Sequence, residues 1–213
     1  MDTDTPNLPL SDSHVDWRYE MRREMQLIVP GLWLGPFSSA KNEANLKRCG
    51  ITHIVCVRDG AESRIIRPLF PSEFVYLEIT ASDSPFQNLI PLFPQSKLFI
   101  DSALGKGGVV FVHCNGGISM APAFVIAYLM ETYLQDYQHA FEFVQTKRFC
   151  MNPNEGFKLQ LKVCLLSDII VKVFCQGYFL ERYLLKCGFL ECFPVPGCYL
   201  NRTLLMPPGV TIP

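Results

Sequence analysis

Apolar residues in this chain come in short runs, separated by polar breaks that carry glycine, proline or serine. ITHIVCV (51–57) and VVFVH (109–113) are continuous apolar, β-branched runs, the pattern of strands covered on both faces. FVYLEIT (74–80) predicts another strand, and LIVPGLWLG (27–35), apolar around a Pro-Gly pair, predicts a short hairpin or edge strand. Helical spacing lies between them. SSAKNEANLKRCG (38–50) opens with a serine suited to capping and ends at a glycine. FPQSKLFIDSALGKGG (93–108) sets Leu98, Phe99, Ser102 and Ala103 on helical spacing before stopping at glycines. A helix from Pro122 to about Tyr133 carries proline near its first turn, where a missing N–H costs nothing. YQHAFEFVQTKR (137–148) and NEGFKLQLKVCLL (154–166) predict two more. Strands alternating with helices of this size indicate an α/β domain with a largely parallel central sheet flanked by helices.

The same pattern divides the chain. Residues 1–24, beginning MDTDTPNLPLSDSH, read as a flexible leader with neither the basic nor the apolar region of an export signal. The domain occupies 25–166. From 167 to 213 the chain is aromatic, cysteine-rich and proline-rich without periodicity, and no fold is assigned to it. Gly107 to Met130 runs for 24 residues without an acidic or basic side chain, long enough to span a bilayer. But Gly116, Gly117 and Pro122 interrupt it, and its central polar groups would need partners in lipid, so strand, loop and buried helix explain it better.

Charge narrows the function. Nineteen basic residues against twenty acidic give a net charge of −1, which leaves no electrostatic footprint for nucleic acid or an anionic membrane. Nine cysteines, an odd number with no CxxC pair, read as reduced thiols of a cytosolic or nuclear protein. Neither these cysteines nor His14, His53 and His139 show metal-ligand spacing, so no metal or cofactor is expected. Arg22–Arg23 and Lys147–Arg148 read as solvated surface charge, with docking of acidic segments as the alternative.

Candidate chemistry gathers at HCNGGISMAP, 113–122. A strand ending in a glycine-rich loop that feeds a helix aims backbone N–H groups and the helix dipole at one spot, forming an anion nest. Cys114 at its base would have its thiolate stabilised and its pKa lowered, as a thiol-phosphate enzyme requires. The alternative is that Cys114 is a small buried hydrophobe and the glycines only make a turn.

HCNGGISMA resembles the dual-specificity branch of the protein tyrosine phosphatases, whose signature is HCxxxxxR followed by Ser or Thr. PGLWLG, LKRCGITHIVCV, AFVIAYLM and KRFCMNPNEGFKLQL are similar to that family as well, so the resemblance covers about residues 22–165. MRREMQ, LGPFSSA and RFCMNPNEGF resemble, more narrowly, a catalytically inactive member in which the cysteine is replaced and the arginine kept. The resemblance implies a protein tyrosine phosphatase-like fold. It makes Cys114 the nucleophile position and His113 a residue that holds the loop and tunes the thiol. Asn115, Gly116, Gly117, Ile118 and Ser119 become the cradle for phosphate oxygens. Asp83, 31 residues before the cysteine in ASDSP, matches the general acid; its alternative is a turn residue before Pro85.

Two positions depart from the pattern. Met120 stands where the family has arginine, and Ala121 where it has Ser or Thr. An arginine grips phosphate through two parallel hydrogen bonds and stabilises the charge on its equatorial oxygens. A thioether offers one weak acceptor, which faces an anion unfavourably. By analogy with arginine fingers, such a loss costs about 10³ to 10⁵ in rate, or about 4 to 7 kcal/mol. No other Arg or Lys lies between Lys106 and Lys147. The expectation is a catalytically inactive or severely impaired phosphatase-like protein that binds phosphorylated signalling proteins or their kinases. Mitogen-activated protein kinases are the partners the resemblance implies. The alternatives are a weakly active dual-specificity phosphatase using Cys114 and Asp83, and a redox role for Cys114.

Overall fold

The computed structural model describes residue 8 and residues 16–163. The tail after 163, its five cysteines and His14 therefore lie outside the described residues. The strands are β1 (Gln26–Val29), β2 (Leu32–Pro36), β3 (His53–Arg58), β4 (Val75–Thr80) and β5 (Val110–Cys114). They form one sheet in the order β1-β2-β5-β3-β4. β1 and β2 pair antiparallel as a hairpin, and every other pairing is parallel. Gly31, at φ +81°, makes the hairpin turn, a conformation that L side chains rarely adopt.

The helices are α1 (Phe37–Ala40), α2 (Glu43–Arg48), α3 (Phe93–Leu104), α4 (Met120–Thr132) and α5 (Tyr137–Lys147), followed by α6, described over 155–163. The single helix expected over 38–50 is thus two. Asn42 interrupts it and caps α2, accepting from the Asn45 N–H at 3.0 Å. The expected serine caps do something else. Ser38 and Ser39 donate to the Arg23 carbonyl at 3.1 and 3.0 Å, tying the chain before β1 to α1.

β5 lies at the centre of the sheet, and all five of its residues are buried. Side chains alternate across it. Val110, Val112 and Cys114 join one core with the α4 residues Phe124, Val125 and Leu129. Phe111 enters a second core with Leu46, Ile54 and Met25. Full burial of a Leu, Ile or Phe side chain stabilises by about 1.5–3 kcal/mol. The covered central strand therefore places its last residue, Cys114, on a fixed floor. β4 at the sheet edge leaves Val75 half-exposed, as an edge strand does. No helix among the described residues is long and apolar enough to cross a membrane.

Candidate functional site

Cys114 ends β5, residues 115–119 form the loop, and Met120 begins α4. The loop closes against the hairpin, where the Phe37 N–H donates to the Asn115 carbonyl at 3.0 Å. Gly117 has φ +62°, and a Cβ there would stand 2.4 Å from the Gly35 carbonyl carbon and 2.8 Å from the Pro36 nitrogen. Only glycine fits that crossing. The backbone N–H groups of Ala121, Gly117 and Ile118 act on the Cys114 thiol and favour its charged form.

The net effect on the thiol is the reverse of the expectation. Cys114 is 3% exposed, and burial pushes its pKa above the ordinary 9.0, with the Asp83 carboxylate pushing the same way. The three amides pull it down without prevailing. Desolvation of a thiolate outweighs hydrogen bonds from neutral donors when no fixed cation faces the sulfur. His113 is 1% exposed, stacked on Phe111 and Phe37 with ring centroids 5.4 and 5.8 Å away. Burial drives its pKa down to about 4, with the Cys114 backbone pulling weakly the other way, and among the described residues its Nδ1 has no hydrogen-bond partner. It is a neutral ring at pH 7.

Asp83 reaches the loop. The Ser119 hydroxyl donates to its Oδ1 at 2.6 Å, and the Asn154 amide donates to the same oxygen at 2.8 Å. The Asn154 N–H also donates to the Ser119 hydroxyl at 3.1 Å, closing a triangle among three segments distant in sequence. On the other flank, the Asn115 amide donates to Glu62 Oε1 at 2.6 Å. The carboxylates of Asp83 and Glu62 thus both touch the loop.

Met120 is 3% exposed and packs in the core shared by Cys114 and α4, beside the fully buried Ala121. The cation that does touch the loop comes from beneath. Arg148, expected on the surface, is 0% exposed. Its Nε donates to the Gly117 carbonyl at 2.8 Å and its Nη2 to the Gly116 carbonyl at 3.2 Å. The other donors serve the chain before β1: the Glu24 carbonyl at 2.9 Å, the Arg22 carbonyl at 3.0 Å and the Gln26 side-chain oxygen. Its fork is consumed by acceptors, so it orients the loop and has no N–H left for a ligand. Charge patterning misses Arg148 because it closes the amphipathic run 137–148, where a basic residue ordinarily faces water. Asn154 and Glu62 were missed too, since their partners are 71 and 53 residues away. Among the described residues, no three His, Cys, Asp or Glu side chains gather as a metal site requires.

A parallel sheet with a buried cysteine at the end of its central strand, ringed by loop amides, is the architecture of cysteine-dependent phosphatases. The model of the dual specificity phosphatase catalytic domain matches residues 32–164, and the chain belongs to that family. The human serine/threonine/tyrosine-interacting protein is 50% identical over 160 residues, covering 74% of this chain and 72% of that protein. Dual specificity protein phosphatase 22 of Xenopus tropicalis is 39% identical over 142 residues, covering 67% of this chain and 65% of that protein. The crystal structure of the human tyrosine phosphatase-like serine/threonine/tyrosine-interacting protein superposes with a TM-score of 0.67 at 49% identity, covering 70% of this chain and 99% of that one. DUSP15 superposes at 0.63 with 30% identity, covering 73% of this chain and 96% of that one.

Proposed function

We propose that this protein is a phosphatase-like domain with catalysis lost or severely impaired, which acts by binding proteins of phosphorylation signalling in the cytosol or nucleus. Mitogen-activated protein kinases and their phosphorylated partners are the class the resemblance suggests. One observation carries the reading: Met120, buried in the core, occupies the position from which an arginine would clasp the phosphoryl group. Two further features agree with it. The side chain that touches the loop from Glu62 is a carboxylate, which repels a phosphate dianion. Burial pushes the Cys114 thiol up, which disfavours the thiolate nucleophile. A similar protein is named for interaction and described as tyrosine phosphatase-like, in keeping with a binding role.

A weakly active phosphatase is the second reading, favoured by the amides around Cys114 and by Asp83 at the loop edge. Hydrolysis of an aryl phosphate separates the two. The natural protein should show no turnover above a Cys114→Ser control. Met120→Arg with Ala121→Ser should raise the rate by about 10³-fold or more, the scale of a restored arginine. Turnover by the natural protein that disappears in Cys114→Ser would establish the second reading instead.

A further inference from the structure

The described residues contain a cavity of about 440 Å³ set apart from the Cys114 loop, between the segment before β1, β2 and the α1–α2 turn. Arg23 and Arg48 both line it. Neither has an acidic partner among the described residues, in contrast to Lys47 beside them, which is taken up by Glu43 at 2.7 Å and Glu73 at 2.6 Å. Glu24 is the single acid in the lining, against two arginines.

The hydrogen bonds of the lining leave donors over. Asn42 also faces the cavity and spends its side-chain oxygen on the α2 cap, so its amide N–H groups stay open. Asn45 spends its oxygen on Arg48 Nη2 at 2.6 Å, leaving its amide open as well and fixing the direction of that guanidinium. Ser38 and Ser39 hold the Arg23 carbonyl, which anchors the backbone that carries the second guanidinium. A concave surface with open N–H donors from two asparagines and two arginines against one acid suits a multiply charged oxyanion.

We propose that this cleft is a binding site, separate from the Cys114 loop, for a phosphorylated side chain of a partner protein. Three phosphoryl oxygens match the two arginine forks and the open amides. A carboxylate, with one charge and two oxygens, would leave part of the lining unused. The assignment stands on the cleft's own residues and holds whether or not the loop turns over phosphate.

Trp33 lines the same cleft and supplies the readout. With Trp17→Phe it becomes the sole tryptophan of the chain. Full-length protein of that background is titrated with a short peptide carrying one phosphoserine, its serine and glutamate versions, and inorganic phosphate. The phosphoserine peptide should change Trp33 emission saturably, about tenfold or more tighter than the glutamate peptide or free phosphate, and the serine peptide should give nothing. Arg23→Ala and Arg48→Ala should each weaken binding about tenfold or more, with unchanged circular dichroism. Arg23→Lys with Arg48→Lys, which keeps charge and removes the fork, should fall between. Binding that survives Arg23→Ala with Arg48→Ala overturns the site. Equal affinity for the glutamate peptide overturns the phosphoryl assignment, equal affinity for inorganic phosphate overturns the protein partner, and no signal from any probe overturns the whole inference.

Discussion

Arg148 shows how far a residue's role can sit from its residue type. A basic side chain at the end of an amphipathic helix ordinarily stays in water; here five oxygen acceptors replace that water, from positions between 22 and 26 and from the loop at 116 and 117. A buried cation is tolerable only when its donors are fully used. Substituting Arg148→Met should therefore strand several carbonyl groups at once and destabilise the domain by about 3–5 kcal/mol, read as a shift in the urea midpoint. Arg148→Lys should recover less than half of the loss, because an ammonium has three donors and no planar fork. Met120 is the opposite case. Its departure from the family signature was legible because that signature is local and contiguous.

Elements were legible where their pattern was continuous and hidden where it depended on distant partners. ITHIVCV and VVFVH announce β3 and β5 because strands covered on both faces need unbroken apolar runs. The break at Asn42 was missed, since serines 38 and 39 look like caps until the Arg23 carbonyl is brought to them by the hairpin. Asn154 was legible as the start of a helix but not as the partner of Asp83. It starts α6, where its side-chain oxygen accepts from the Phe157 N–H at 3.0 Å while its amide holds Asp83. Gly156, one residue into that helix, allows the approach: a Cβ there would lie 2.0 Å from the Pro85 carbonyl oxygen. Asn154→Ala should cost about 1–2 kcal/mol from the lost cap. It should also free the 81–87 loop, measurable as faster amide exchange there with exchange in β5 unchanged.

At the scale of the molecule, acid should weaken the fold through His113. Its folded pKa is about 4 against an ordinary 6.5, so the unfolded chain binds the extra proton between those values. Stability should be level above pH 6.5 and fall by up to about 3 kcal/mol as pH drops towards 4. His53, pushed down by burial and by Lys106, adds in the same direction. The part owed to His113 is the difference between the natural protein and His113→Phe, which should lose that share of the slope in thermal melts taken across the window. The family, its sheet and the cysteine loop could be inferred from contiguous words in the sequence; the props beneath the loop could not, being assembled from segments scattered over more than 120 residues. Those props have a mechanical corollary. One guanidinium ties the carbonyls of Gly116 and Gly117 to those of Arg22 and Glu24, so a disturbance in the chain ahead of the hairpin should be felt at the mouth of the loop.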